Sequence, residues 1–244
     1  MTEKYGDYIE KWLGGIGNEI LFWKEYMQDK GGIYKKDFLE VTRPNRGFAF
    51  EEEIPEDKLG KRLKFVDVGA GPFSDCGTVS TKVKLEVTAI DPLADVYNNL
   101  KKKYGLDNGI RIRTGFVECL DTQFAENEFD IVYMRNALDH CFDAVMGIYQ
   151  LLYICRTGGK VILKHTENEA EREGYQGFHQ WNLSLDNPEK SFIIWREDQR
   201  IDAVKIFREY ADIELYPGEG EWPANKVILT KRIQIQIPPN LYNR

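Results

Sequence analysis

The sequence predicts an α/β domain with a doubly wound, mostly parallel sheet of seven strands, an antiparallel hairpin at one sheet edge, and an N-terminal helical cap. Three observations carry this expectation. From about residue 60 to 165, short apolar runs of strand length alternate with longer, more polar segments, the grammar of a parallel sheet with helices on its faces. The last two strand-like runs follow one another with only a Gly/Pro loop between them, as in an edge hairpin. The first sixty residues have no such runs and instead space their apolar residues three to four apart.

Taken in order, residues 5–29 read as helical, with Tyr8, Ile9, Trp12, Leu13, Ile16, Ile20, Leu21, Trp23 and Met27 in that spacing. Gly14, Gly15 and Gly17 are expected to break the segment into two helices. Gly31-Gly32 ends it, and a polar stretch containing proline leads to residue 60. Strands are expected at Leu63–Val68, Leu85–Ile90, Ile110–Arg113, Phe129–Met134 and Lys160–Lys164, with helices near Thr78–Lys82, Ala94–Tyr104 and Phe142–Ile154. A helix over Ile201–Glu209 and strands at Ile213–Tyr216 and Lys226–Ile233 complete the chain. The resulting organisation is one domain over 1–244: a cap (1–59), a core (60–165), an insertion (166–200), and a closing helix with hairpin (201–244).

Composition narrows the function classes. A 42% hydrophobic and 30% charged chain of 244 residues can bury a full core. A formal charge of −7 argues against a nucleic-acid partner, which needs a dense basic surface. No apolar run approaches the roughly 20 residues that span a bilayer, and Met1–Tyr8 has no signal pattern, so the chain reads as cytoplasmic with no membrane partner. Cys76, Cys119, Cys141 and Cys155 sit singly, without metal or CxxC spacing, and read as reduced thiols. Nothing in the sequence marks an oligomeric interface.

The most informative motif is Asp67-Val68-Gly69-Ala70-Gly71, which follows the first strand at once. Two glycines there let the chain turn sharply and let a ligand approach bare backbone N–H groups. The next strand ends in Ala89-Ile90-Asp91-Pro92, whose carboxylate can accept hydrogen bonds from both hydroxyls of a ribose. In this ordered set the sequence resembles the class I S-adenosylmethionine-dependent methyltransferases, from about residue 60 to 165. Asp67, Gly69 and Gly71 match that family's first motif and Asp91 its ribose-binding acid. Gly115-Phe116-Val117-Glu118 matches the segment around the adenine, Phe129-Asp130 the fourth strand, and Gly158-Gly159 the turn before the fifth. Phe116 stands where the family has an aspartate and Phe73 where it often has a third glycine. The resemblance implies a Rossmann-like fold, S-adenosyl-L-methionine as cofactor and S-adenosyl-L-homocysteine as product. It implies Asp67, Gly69, Gly71, Asp91, Pro92, Val117, Glu118, Arg135 and Asn136 as cofactor-binding residues. A dehydrogenase reading of Gly69–Ser74 with Asp91 is possible. The long helical preface, the closing hairpin and the lack of room for a second domain weigh against it.

Ligands of a parallel sheet bind beyond the carboxyl ends of its strands. The segments there are Arg135-Asn136-Ala137-Leu138-Asp139-His140 and His165-Thr166-Glu167-Asn168-Glu169, followed by Gly174–Asn182 in the insertion. All three histidines of the chain, His140, His165 and His179, fall in these segments. A histidine can take a proton near neutral pH, which suits the base of a methyl transfer. His140 or His165 is the expected base, with Asp139 or Glu167 orienting it, and His179 and Trp181 are expected in the acceptor pocket. A His/carboxylate metal site drawn from His140, His165, Glu169 and His179 lacks tight ligand spacing, so no metal is expected. Arg135, Lys164, Arg172 and Arg196 can serve an anionic acceptor. The polar and aromatic insertion suits a small polar acceptor. Asn136–His140, Asn168–Glu171 and His179–Asn182 faintly resemble methyltransferases of surface-polysaccharide pathways, which implies a sugar or sugar-linked group.

Overall fold

The computed structural model describes residues 2–187 and 191–238, with the side chains of residues 2–8 and 187 outside that description. Residues 188–190 of the insertion, 239–244 of the closing segment and the Tyr8 side chain therefore lie outside the described residues. The strands are β1 (Arg62–Val68), β2 (Lys84–Asp91), β3 (Ile112–Thr114), β4 (Phe129–Arg135), β5 (Cys155–Thr166), β6 (Asn182–Asn187), β7 (Ser191–Arg196), β8 (Gln199–Asp202), β9 (Ala211–Tyr216) and β10 (Ala224–Lys231). The helices are α1 (Thr2–Gln28), α2 (Lys35–Val41), α3 (Ala94–Tyr104), α4 (Ala144–Ile154), α5 (Glu169–Arg172) and α6 (Ala203–Phe207).

Seven strands form the main sheet in the order β3-β2-β1-β4-β5-β10-β9. β1 to β5 are parallel, and β10 runs antiparallel between β5 and β9. Strand order reverses at β1, so a crevice opens between the ends of β1 and β4. β1 reads Leu63-Lys-Phe65-Val66-Asp67-Val68 because it is covered on both faces, as central parallel strands are; Leu63, Phe65 and Val66 are fully buried. α4 begins where the Asp143 side chain accepts from the Met146 N–H at 2.9 Å. Gly105 closes α3 in the left-handed conformation that favours glycine. Among the described residues no helix is long and apolar enough to cross a membrane.

Three local expectations are corrected. α1 is continuous, and its glycines do not break it. Gly15 is there for close approach: a Cβ on it would stand 2.6 Å from the Phe178 ring and 2.8 Å from the Gly177 carbonyl carbon. Thr78–Lys82 is not helical. Ser80 Oγ captures the Lys82 and Val83 N–H groups, and Thr78 and Val79 N–H donate to the Arg46 carbonyl, so the backbone is satisfied without a helix. With no helix there, Phe48 and Phe50 from the preceding loop cover Phe65 and Tyr133, with ring centres 4.6–6.2 Å apart. The closing helix is only Ala203–Phe207, because Gln199–Asp202 pairs with β7. Asp202 then caps the helix through the Val204 and Lys205 N–H groups. The insertion, for which the sequence named no elements, folds as a small antiparallel sheet, β6-β7-β8.

Asp130 ties this architecture together. It is buried, accepts from the Lys64 N–H of β1 at 2.8 Å, and pairs with Lys58 and Arg156, both at 2.7 Å. Removing it leaves two cations around a dry gap. Asp130→Ala is expected to lower unfolding stability by about 3 kcal/mol, measured by urea denaturation; a loss near zero would remove this ascribed role.

Candidate functional site

The site is built on three strand ends that crowd one another. After β1 the chain turns through Gly69 (φ 71°) and Gly71 (φ 56°), a region that side chains disfavour. A Cβ on Gly69 would stand 2.4 Å from the Ala137 Cβ, so the loop after β4 leaves no room for one. The Gly69 and Ala70 N–H groups donate to the Ile90 carbonyl at 2.9 and 3.0 Å. Gly71 N–H donates to Asp91 Oδ2 at 3.0 Å, and Leu93 N–H to Asp91 Oδ1 at 2.8 Å. Burial pushes the Asp91 carboxyl up to about 7 against these two donors. Burial, then the charge of Asp75, pushes Asp67 up to about 8.

Two spaces adjoin this turn. An inner cavity is lined by Trp12, Asp91, Pro92, Phe116, Val117 and Glu118, among others. An outer, larger cleft is lined by Gly69, Gly71, Arg135, Asn136, Glu169 and His179, among others. They share Glu19, Gly69, Asp91, Ala137 and His140 as walls, so the two spaces meet at the glycine turn. Every cofactor-binding residue expected from the sequence therefore lines one space or the other. Their side chains do different things, however. Glu118 Oε1 accepts from the Phe142 N–H at 2.7 Å and fixes the cavity floor. Asn136 Oδ1 accepts from the Thr166 N–H at 3.0 Å. Arg135 is held by Asp75 at 2.6 Å.

α1 lies over both spaces. Trp12 stacks on Phe178, with ring centres 4.9 Å apart and planes 3° from parallel, and meets Phe116 and Phe142 at 5.6 and 5.5 Å. Trp23 donates to Glu19 at 2.6 Å and covers Gly71, whose built Cβ would lie 3.3 Å from its ring. Trp12 and Glu19 are lining residues that the sequence did not single out; Phe22, Trp23 and Tyr26 read there as core packing, on a helix that the resemblance implies can fold over the cofactor. A helical repeat of aromatics predicts a packed face but not what it packs on.

Asp139 sits in a tight turn after β4 with 1% exposure. Its backbone carbonyl accepts from the Gln180 and Trp181 N–H groups at 2.9 and 3.1 Å, which pins the insertion to the core and delivers His179. Its Oδ2 lies 2.7 Å from His179 Nδ1 and 3.2 Å from His140 Nε2, and the two ring nitrogens are 3.3 Å apart. Burial works against the Asp139 charge, but His140 and His179 outweigh it and hold the carboxyl below its ordinary value. Burial likewise opposes protonated His179, yet the Asp139 hydrogen bond and charge leave it raised. The three donor atoms Asp139 Oδ2, His140 Nε2 and His179 Nδ1 also lie close enough to share a cation.

His140 and His179 are thus brought together, and His165 is not with them. It is 3% exposed on β5, lines neither space, has no hydrogen-bond partner on either ring nitrogen among the described residues, and is pushed down by burial to about 4. Glu167 lines neither space, and its N–H donates to the Pro223 carbonyl. Trp181, expected in the acceptor pocket, is instead in the core: it is buried, donates to the Cys141 carbonyl at 2.9 Å, and carries the Arg196 guanidinium 3.8 Å over its ring. Arg172 binds the Glu221 carbonyl and covers Trp222. With Lys164 also away from both linings, Arg135 is the one of the four expected cations that reaches the cleft.

Residues 66–163 match the family model described as a methyltransferase domain. The phosphoethanolamine N-methyltransferase of Plasmodium falciparum is 24% identical over 193 residues, which cover 78% of this chain and 66% of that protein. The chain thus spans just under two thirds of the length of that curated relative. A solved structure from Methanococcus maripaludis, described as a candidate S-adenosyl-L-methionine-dependent methyltransferase, shares the fold at a TM-score of 0.51 and 15% identity, covering 86% of this chain and 92% of that one. The resemblance carried by Asp67, Gly69, Gly71 and Asp91 to the class I S-adenosylmethionine-dependent methyltransferases therefore stands.

The Asp139–His179 contact has a pH signature. A raised histidine value contributes stability below about 6.5 that is lost as pH rises through the raised value. A lowered carboxyl value contributes stability above about 3.9 that is lost as pH falls through it. The stability difference between wild type and Asp139→Asn is therefore expected to be greatest between about pH 4 and 6.5. In proton NMR, Asp139→Asn is expected to lower the His179 midpoint by roughly one unit or more, and an unmoved midpoint would dissolve the pairing.

Proposed function

We propose that this chain is an S-adenosylmethionine-dependent methyltransferase acting on an oxygen or nitrogen nucleophile of a small polar acceptor, with a sugar or sugar-linked group of surface-polysaccharide synthesis as the first candidate. One observation carries this reading: the inner cavity and the histidine-bearing cleft meet at Gly69, Asp91, Ala137 and His140. A nucleoside held on one side would thus have its reactive end beside a potential base on the other. The methyltransferase-domain match supports the reaction class, and the name of the Plasmodium relative supports keeping nitrogen among the nucleophiles. The acidic balance supports a partner other than nucleic acid, and the reading takes the protein as cytoplasmic and in no need of a metal.

The residues fit the cofactor. Asp91 stands at the end of β2, 3.0 Å from the Gly71 N–H, where it can take the ribose hydroxyls, with Pro92, Phe116 and Val117 available to the adenine. The bare turn at Gly69 and Gly71, with Arg135, Asn136 and Asp67, would hold the amino-acid end. When bound, the cofactor supplies an activated methyl group on a sulfonium. The protein's task is then to align the nucleophile and remove its proton. We assign that proton to the His140–His179 pair, with the Asp139 carboxylate stabilising the protonated form. His165, unpaired and pushed down to about 4, is assigned no proton transfer. α1 would exclude water through Trp12 and Trp23.

Calorimetry with S-adenosylhomocysteine tests the first step. Asp91→Ala, checked for folding by circular dichroism, is expected to weaken binding by roughly ten- to a hundredfold. His140→Ala is expected to leave that affinity within about twofold while cutting methyl incorporation from labelled cofactor roughly 10²- to 10⁴-fold. Incorporation should fall as acid protonates His179, whose value the Asp139 contact raises. Absence of any affinity for the cofactor would end the methyltransferase reading. Intact affinity without turnover on any acceptor would favour a non-catalytic binding protein.

A further inference from the structure

We infer that the methyl acceptor is a cationic amine bearing no phosphate or carboxylate, methylated on nitrogen; this rests on the methyltransferase reading above and names its substrate class. The charge lining the outer cleft carries the inference. Seven carboxyl groups line it (Glu19, Asp37, Asp67, Asp75, Asp91, Glu169 and Glu173), three of which, Asp67, Asp91 and Glu169, burial pushes up to about 7 or 8, against Arg135, which Asp75 already holds at 2.6 Å, and His179, which Asp139 raises. A bound cofactor brings a net positive charge that Asp67 and Asp91 alone can match. With Asp75 matched by Arg135, Asp37, Glu169 and Glu173 remain on the acceptor side. A second anion placed there would meet like charge with no free guanidinium to receive it, because Arg172 and Arg196 are spent on Trp222 and Trp181.

Independent features point the same way. Glu169 Oε2 is buried with no hydrogen-bond partner among the described residues, and Asp139 Oδ1 is in the same state 1% exposed. Burial, then the charge of Asp139, pushes Glu169 up to about 7, so a cation beside it would relieve a cost already present. Trp23, Tyr26, Tyr34 and Phe73 also line the cleft, and aromatic rings can attract an ammonium group. A divalent ion at Asp139, His140 and His179 would use that corner alone and leave Glu173 and the aromatic side chains of the cleft without a role.

The chemistry balances. The ammonium enters on the carboxylates and gives one proton to the His140–His179 pair, which leaves a lone pair on nitrogen. That pair forms the new N–C bond as the S–CH₃ bond breaks, and its electrons go to sulfur, giving S-adenosylhomocysteine and a methylammonium product. The pair later returns its proton to solvent.

The test is calorimetry on the whole protein saturated with S-adenosylhomocysteine, using ethanolamine against ethylene glycol, glucosamine against glucose, and phosphoethanolamine against ethanolamine. At least one amine is expected to bind about tenfold or more tightly than its hydroxyl counterpart, and phosphoethanolamine about tenfold more weakly than ethanolamine. Glu169→Gln combined with Glu173→Gln is expected to reduce the amine preference at least about fivefold, with S-adenosylhomocysteine affinity as the folding control. Equal binding of amine and hydroxyl probes, no binding of any amine, or tight binding of phosphoethanolamine overturns the inference. So does Zn²⁺ or Mn²⁺ binding at one equivalent that displaces the amine, which would make the corner a metal site. Loss of S-adenosylhomocysteine binding itself would instead strike the methyltransferase reading.

Discussion

The closeness of three strand ends governs the functional half of this molecule. β1, β2 and β4 finish so near one another that Gly69 has no space for a single methyl group against Ala137. Asp91 can therefore reach across from β2 and hold the Gly71 and Leu93 N–H groups at once. The same crowding sets the loop after β4 on the opposite wall, and with it His140. An interior packed to this density transmits position over several residues. Gly69 and Asp91 are thus at once parts of the fold and parts of the site.

The lid is fixed by a different kind of contact. α1 packs on α2 nearby in sequence through Tyr26 and Phe38 and on distant segments through Trp12 and Trp23, and it docks through broad aromatic area, not through hydrogen bonds alone. Trp12 on Phe178 couples the lid to the insertion, and the bare backbone of Gly15 lets the helix come close enough for that stacking. The insertion is in turn held by the backbone carbonyl of Asp139. Lid, insertion and histidine pair therefore form one connected unit, so displacement of the helix would be felt at His179.

Electrostatically the site is under tension by construction. Asp67, Asp91, Glu118 and Glu169 are carboxyls that burial drives upward, to between about 7 and about 8. Asp139 is equally buried yet pulled the other way by its two histidines. Desolvated charge of one sign around an open space is stabilised by a ligand of the opposite sign.

The strand runs around Phe65, Val87, Ile131 and Ile162, the glycine turn and Asp91 were all legible in the sequence, because short-range pattern and backbone geometry determine them. Residues 78–82 misled because Ser80 satisfies the local amides without a helix, and Trp181 misled because an aromatic beside a histidine does not reveal which way its ring faces. The clustering of all three histidines near the strand ends was visible in the sequence; the separation of His165 from His140 and His179 was not. That separation depends on how the insertion folds back onto Asp139, forty residues away in the chain. The sequence by itself thus determined most of the sheet, the turn and the N-terminal helical cap, and its resemblance implied the kind of ligand. Tertiary structure alone decided which aromatic side chains of the cap meet the site, which histidines share a carboxylate and which charges line the cleft, since each of these is a sum over side chains that only packing brings within a few ångströms.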